Sequence, residues 1–427
     1  MTFKASVYWW DTAPALPAYT ARPLPPRVDA VVIGGGYTGL SAARQLAKSG
    51  ASVAVLEKET IGWGASSRNG GQVLTGLKLG VQTLIARYGL PTAKRLYAST
   101  TQSIQFVEDL IAKERIECEF VRCGNIDAAS KSKHFEGFKR TQELLAREFD
   151  CHFQIVPRAE QRREIGTDAY YGLMVDPHSA RLNPTQYVRG LARAAERAGA
   201  TFLEKTPARA IERSGSRFKV ETGRGTIEAG AVLVATNGYT DAALPALRRR
   251  VIPISSYIIA TEPLRSDIAD RLLPNRRVVS DSKNFLHYYR LSSDNRLLFG
   301  GRAAFVPPTA DSDRQSAEIL RRDMLHIFPE LSDVRVEYVW SGNVCFTLDR
   351  LPHAGRFENG VYYAAGYAGH GVAMATYLGA KMADVMLGRD DQNPFRAMKF
   401  RAIPLYDGRP WFLPLVALGY KFLDRIQ

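Results

Sequence analysis

Four cysteines in 427 residues, with no CxxC pair among them, leave neither a zinc site nor a disulfide framework to read. Cys118, Cys123, Cys151 and Cys345 are irregularly spaced, so buried free thiols in a reducing compartment are expected. No apolar run approaches the ~20 residues that span a bilayer. The stretch before Pro26 has aromatics and prolines but no signal-peptide apolar core, and a cytoplasmic protein is expected. Internal repeats and low-complexity tracts are missing, as are a catalytic triad and a metal cluster. Acid is outnumbered, with 43 Asp and Glu against 57 Lys and Arg, for a net charge of +14. The basic residues are scattered, and the longest run is Arg248-Arg249-Arg250. Without a basic stripe interleaved with aromatics, the excess reads as solvated surface and no nucleic-acid partner is expected.

What is present is organised around Val31 to Glu57. An apolar run, Val31-Val32-Ile33, leads into Gly34-Gly35-Gly36-Tyr37-Thr38-Gly39. Leu40, Ala43, Leu46 and Ala47 follow at helical spacing, then Val53 to Leu56, closed by Glu57. Strand, glycine turn, helix, strand and acid make a βαβ unit for a dinucleotide. Gly34 allows the tight turn, Gly36 the approach of a pyrophosphate, and Gly39 close packing of helix on strand. Unpaired amides at the helix start suit phosphate, with Tyr37 and Thr38 in that first turn. Glu57 is placed to accept from a ribose 2′-OH and would repel a 2′-phosphate, with Lys58 beside it. This unit alone does not choose between FAD and NAD.

The flanking chain is read more coarsely. Residues 1–27 form a proline-punctuated arm in which Trp9-Trp10 packs on the domain behind it. Gly62 to Gln72 is too rich in glycine and small polar residues for core, and suits a loop against a flat ligand. Residues 93–149 look largely helical, with a short strand expected at Glu119-Phe120-Val121. Asn183 and Pro184 start a helix as N-cap and N1. A β-meander follows that includes Ala208, and Ala231 to Ala235, closed by Thr236-Asn237-Gly238, returns to the nucleotide-binding sheet. Strands dominate 246–338. A second glycine loop, Gly366 to Gly371, then enters a helix from Val372.

Together these segments resemble the FAD-dependent oxidoreductases of the D-amino-acid, glycine and sarcosine oxidase superfamily, and most of all its γ-glutamylputrescine oxidase-like branch. The carriers are the VIGGGYTGLS stretch, Gly62 to Gln72, Tyr288-Tyr289-Arg290-Leu291, Asn295 to Gly301, Trp340-Ser341-Gly342-Asn343, and Gly366-Tyr367 with Gly369 to Val372. The resemblance implies a discontinuous, Rossmann-like α/β FAD domain with an inserted α+β substrate domain on a mainly antiparallel sheet. The expected boundaries are 28–92, 150–245 and 336–390 for the FAD domain, 93–149 and 246–335 for the substrate domain, and 391–427 for a tail. It further implies that Ala65, Ser66, Ser67, Arg68, Asn69, Gly70, Gly71 and Gln72 lie beside the isoalloxazine. Gly369, His370, Gly371 and Val372 would face its pyrimidine edge, where a helix N-terminus stabilises negative charge. Lys58, Ala208, Thr236, Asn237, Gly238 and Gly366 join the expected cofactor set, with FAD bound non-covalently.

His370, Tyr288, Arg290 and Trp340 are the candidates near the chemistry. His370 acts as base, oxygen activator or loop positioner. Tyr288 and Arg290 share one strand face, and Trp340 is pocket wall or core. Two departures matter. Val344 stands where glycine and D-amino-acid oxidases carry the arginine that clamps a substrate carboxylate. Leu298 stands at or near the oxygen-activating lysine of sarcosine oxidases. The expected reaction is hydride transfer from a primary or secondary amine to the flavin, imine hydrolysis, and reoxidation by O2 with release of H2O2. A dehydrogenase using a quinone or carrier, a tRNA-modifying oxidoreductase and a non-catalytic flavoprotein are the rivals. The apolar tail from Trp411 to Ile426 docks on the protein, on a second subunit or on a membrane surface.

Overall fold

The computed structural model describes residues 3–304, 309–389, 393–408 and 410–413. Two eight-stranded sheets dominate. In the first, Arg27–Ile33 runs parallel to Val53–Leu56 on one side and to Gly225–Val234 on the other. Tyr362–Ala365 and Thr201–Leu203 continue the parallel part outward. Alternation along the central strand divides its side chains. Ala30 and Val32 join the cluster built by the helices Tyr37–Lys48, Pro184–Arg197 and Gly371–Met386. Val31 and Ile33 point to the opposite face, with Phe218 and Val220 of the meander. A strand buried on both faces reads as a continuous apolar run, as Val31-Val32-Ile33 does. The apolar run expected at Ala231 is the second half of one ten-residue strand. Its first half pairs antiparallel with Arg217–Thr222, and the whole runs Gly225–Val234.

The second sheet has the order Val336–Phe346, Ile252–Thr261, Leu297–Ala304, Tyr288–Leu291, Val278–Asp281, Asn125–Ala128, Gly172–Asp176, Gln154–Pro157. Every pairing is antiparallel except Val278–Asp281 with Asn125–Ala128. One face, with Tyr257, Tyr289 and Phe299, packs on a cluster that includes Leu320 and Met324 of the helix Ala310–Ile327. The other face carries Ile258, Leu298 and Trp340, which bury Trp9 of the arm completely.

The pairing redraws the expected boundaries. Gln154–Pro157, Gly172–Asp176 and Val336–Phe346 belong to the second sheet, although 150–245 and 336–390 were expected in the FAD domain. Short strands with no alternation carry no mark of which sheet they join. The strand expected at Glu119-Phe120-Val121 is a single bridge from Val121 to Arg181, and the true strand is Asn125–Ala128. Asn, Asp and Ala are weak strand formers held here by neighbours on both sides. Asn183 caps the helix as read, its side chain accepting from Gln186 N–H at 3.2 Å. Most of the tail segment Trp411 to Ile426, from 414 on, lies outside the described residues. Among the described residues no helix is long and apolar enough to cross a membrane.

Candidate active site

The glycine turn closes against its own strands. A Cβ on Gly34 would meet Ala235 O at 2.8 Å, and one on Gly39 would lie 1.9 Å from Gly34 O. Gly34 also sits at φ +110, where only glycine is at ease. Glu57 turns back over this turn, accepting from Gly35 N–H at 2.7 Å and Glu59 N–H at 2.8 Å. Burial pushes its carboxyl above the usual range against those two donors. Tyr37 N–H donates to Ser66 Oγ at 2.9 Å, which ties the helix start to the second glycine-rich segment. The amides of Gly36 and Thr38 have no internal acceptor among the described residues.

That second segment is a helical turn, Ala65–Arg68, rather than an open loop. Asn69 stops it by donating to Ala65 O at 2.9 Å and accepting from Gly71 N–H at 2.8 Å. Four large side chains brace it from behind. Trp9 Nε1 donates to Asn69 O, Trp10 Nε1 to Ser67 Oγ and Trp340 Nε1 to Arg68 O, each at 2.9 Å. The Arg68 guanidinium lies over the Trp10 and Trp63 rings and donates to Trp63 O and Ser341 O. Arg290, 1% exposed, donates to Leu182 O at 2.8 Å, Gly71 O at 3.2 Å and Gly70 O at 3.4 Å. Complete burial lowers it to about 10. Arg290 and Trp340 were expected as candidates at the reacting centre. Trp340 Nε1 and Arg290 Nε and Nη1 are instead taken by backbone carbonyls, which ties both residues to the loop, while the buried Arg290 Nη2 has no partner. Tyr288 differs. Its OH lies 3.1 Å from Ser256 Oγ, and its ring passes over Gly70, where a Cβ would be 3.3 Å away.

The third segment arrives from the far end of the chain. Asn237, at φ +46, accepts from Gly366 N–H at 2.9 Å through its side chain. Tyr367 OH meets Thr38 Oγ1 at 2.7 Å. Gly369, at φ +94, has open space where a Cβ would stand. His370 is the N-cap of the helix Gly371–Met386, and its buried Nδ1 has no partner. Burial, with the nearby Lys78 charge, holds His370 down at about 4, so its imidazole is neutral at pH 7.

The three segments enclose a cavity of about 360 Å³. It runs from Glu57, Lys58 and Ala208 past Gly34, Gly36, Tyr37, Thr38, Ala65, Ser66 and Asn69 to Gly369, Gly371 and Val372, with Thr236 and Asn237 beside it. Ser67, Arg68, Gly70, Gly71, Gln72, Gly238, Gly366, Gly39 and His370 are not in its lining. They stand behind it or next to it. Tyr239 and Asn343 line the cavity without having been named for it, together with Val344 and Cys345, which the resemblance had placed near the reacting centre. Asn343 ties them together, its N–H donating to Tyr239 OH and its Nδ2 to Gly238 O, both at 3.1 Å. Nothing local in Asn343 announces this, because both partners are a hundred residues away. Burial pushes the Cys345 thiol up to about 12, so it is not a thiolate at pH 7. Among the described residues no cluster of His, Cys, Asp and Glu is placed to hold a metal.

Residues 29–385 match the FAD dependent oxidoreductase family known as DAO. The chain belongs to that family. It is 34% identical over 409 residues to a probable oxidoreductase OrdL of Haemophilus influenzae, covering 93% of this chain and 92% of that one. It is 33% identical over 405 residues to the gamma-glutamylputrescine oxidoreductase of Escherichia coli K12, covering 93% of each. Among solved structures it superposes on glycine oxidase from Geobacillus kaustophilus with a TM-score of 0.73 at 24% identity, over 88% of this chain and all of that one. That likeness is one of fold.

The chain is therefore an FAD-dependent oxidoreductase, and the cavity fits its cofactor. A carboxylate lies at one end, unpartnered amides of a helix start lie in the middle, and a second helix start with an orphaned imidazole nitrogen lies at the other. Glycine at 369 leaves the room that a flat ring system needs.

Proposed function

We propose that this oxidoreductase oxidises a primary or secondary amine at the carbon bearing nitrogen, giving an imine that water converts to an aldehyde, with O2 as electron acceptor and H2O2 as product. Bound FAD supplies the two-electron acceptor for hydride. The observation that carries the reading is the make-up of the wall by Gly369. Val344 and Cys345 line it and no guanidinium does, so an α-carboxylate beside the reacting carbon would find no bidentate partner. The gamma-glutamylputrescine oxidoreductase relative, aligned over 93% of both chains, supports an amine in that place.

The chain's own residues would hold this reaction as follows. Tyr288 and the Gly70 backbone form one side of the substrate position, and the Tyr288 OH is fixed by Ser256. His370 stays neutral, so it does not repel a substrate that arrives as an ammonium, and its free Nδ1 can accept a hydrogen bond. The amides opening the Gly371–Met386 helix offer positive potential where negative charge collects. Anaerobic titration of the FAD-loaded enzyme with an amine panel tests this directly. Bleaching of the flavin band by alkyl amines, and not by glycine, is expected. Bleaching by glycine alone would refute it.

A second reading concerns the acceptor. Leu298 is 2% exposed and packs with Trp9 and Trp340, so no lysine stands there to meet oxygen. That favours a quinone or carrier. Stopped-flow mixing of reduced enzyme with O2 decides, because slow reoxidation with no H2O2 would replace the oxidase reading.

A further inference from the structure

Residues 399–408 and 410–413 are built with two faces. Ile403, Tyr406 and Leu413 turn inward and form a buried cluster with Ile252. Leu405 and Trp411 turn outward, 93% and 64% exposed, the two most exposed large apolar side chains among the described residues. They stand together, since Trp411 Nε1 reaches Leu405 O at 3.5 Å. Leu405 also sits at φ +53, a conformation that costs a leucine energy and that burial does not repay. Cations surround the pair. Ile403 N–H donates to Arg249 O at 2.9 Å, and the Arg248 side chain lies along Gly408, where a Cβ would be 2.2 Å from its Nε. Lys399 and Arg401 lead into the same turn and are exposed, as Arg249 is. Among the described residues these four make no ion pair, whereas the exposed Arg271 and Arg335 hold Glu330 and Glu262. Asp407 is the one acid in the sequence from 393 to 413.

We propose that this face docks on an anionic phospholipid surface, with Leu405 and Trp411 entering the hydrocarbon boundary and Arg248, Arg249, Lys399 and Arg401 meeting lipid phosphates. The two chemistries match in layers, because a leaflet presents phosphate outside and hydrocarbon just beneath it. Tryptophan is favoured at that boundary, and each cation near an anionic leaflet strengthens the contact. A nucleic acid would take the cations and leave Leu405 without an apolar partner. A second copy of the chain, met through the same face, would set like charges against each other. The place of the face in the fold gives docking a consequence. Tyr406 OH donates to Val251 O at 2.9 Å, just ahead of the strand that pairs Pro253 with Cys345 and Ile254 with Val344. Val344 and Cys345 line the cavity, so the lipid surface is brought to the end of the two strands that carry its wall. The docking is independent of which amine is oxidised and of what accepts the electrons.

The test is co-sedimentation of the FAD-loaded full chain with vesicles of phosphatidylcholine alone, and of phosphatidylcholine and phosphatidylglycerol in equal parts. Binding to the anionic vesicles that weakens with salt, and little binding to the neutral ones, is expected. Leu405→Ser and Trp411→Ser should each weaken it about tenfold. Arg249→Gln, Lys399→Gln and Arg401→Gln should each weaken it about fivefold. Brominated lipid should quench tryptophan fluorescence in the parent and lose that effect in Trp411→Phe. Flavin content per chain and a thermal melt check that each variant is folded. The proposal falls if the parent stays in the supernatant with both vesicles at low salt. It falls equally if binding survives these variants, because another part of the chain then makes the contact. Light scattering addresses self-association. If Leu405→Ser and Trp411→Ser break a dimer and leave lipid binding unchanged, a second copy holds this face and the membrane does not.

Discussion

Arg290→Met removes a fully buried guanidinium and leaves a side chain of similar length. Three carbonyls lose the Nη1 donor, those of Leu182 at 2.8 Å, Gly71 at 3.2 Å and Gly70 at 3.4 Å, and Leu291 O loses Nε at 3.2 Å. Hydrogen bonds to charged groups contribute about 1.5–3 kcal/mol each. The gross loss is offset in part, because the variant no longer keeps an ion out of water. A net cost of about 2–4 kcal/mol follows, within the range for breaking a buried charged network. Two of the three carbonyls belong to the flavin loop, so the cost should appear first as FAD loss. The assay is flavin fluorescence during a thermal ramp, paired with FAD titration of the apoprotein. The release temperature is expected to fall by several degrees, with FAD affinity weakened about tenfold or more. Arg290→Lys should be intermediate, since the three bonds to Leu182, Gly71 and Gly70 all leave one nitrogen, Nη1, which an ammonium on a shorter stem reaches less well. If Arg290→Met holds FAD and releases it within about 1 °C of the parent, the bracing role is wrong.

Other positions give sharper contrasts. Gly39→Ala would force a Cβ to within 1.9 Å of Gly34 O, and protein without flavin or without a fold is expected on purification. Gly369→Ala meets no atom but must sit at φ +94, so a folded enzyme with weaker FAD binding, by about 1–3 kcal/mol in titration, is expected. Trp9→Ala empties a wholly buried site that also donates to Asn69 O, and should cost about 3–5 kcal/mol in denaturant unfolding. Asp127 has its carboxyl raised to about 7 by burial, then by Asp176. The native state then binds more protons than the unfolded one between about pH 4 and pH 7, so this group costs stability as pH rises through that window. Asp127→Asn should be near neutral at pH 4 and stabilising at pH 8, by about 4 kcal/mol at most, in thermal melts across pH. A flat difference across that range would show that Asp127 is not held neutral.

The cofactor half of the site was legible because its chemistry is local. Gly39 packs on Gly34 O within the same turn and Glu57 closes the unit on Gly35 N–H, so spacing reports the unit, although Gly34 and Gly36 themselves meet Ala235 O and Ser66 Oγ from other segments. The second glycine-rich segment was legible only as composition, since what fixes Ser66 to Gln72 is what stands behind it. Arg290 illustrates the limit. On a strand reading Tyr-Tyr-Arg-Leu it has the alternation of a pocket residue, yet its partners are carbonyls at positions 70, 71 and 182. A carbonyl leaves no mark in sequence, because every residue has one. The same holds for Trp9, Trp10 and Trp340, whose ring N–H groups reach loop backbone or a serine hydroxyl. Asp127 was unreadable for a different reason. It is an ordinary charge in a short strand, and only the parallel pairing of Asn125–Ala128 with Val278–Asp281 puts it on the same sheet face as Tyr288. Sheet register, fixed by contacts between segments 150 residues apart, thus assigns the face of every charge on these strands. A slip of one residue at that pairing would turn Asp127 to the opposite face, among Ile126, Val279 and Tyr289. The apolar side chains at 126 and 128 forbid that slip, so the packing of one face determines which charges stand on the other.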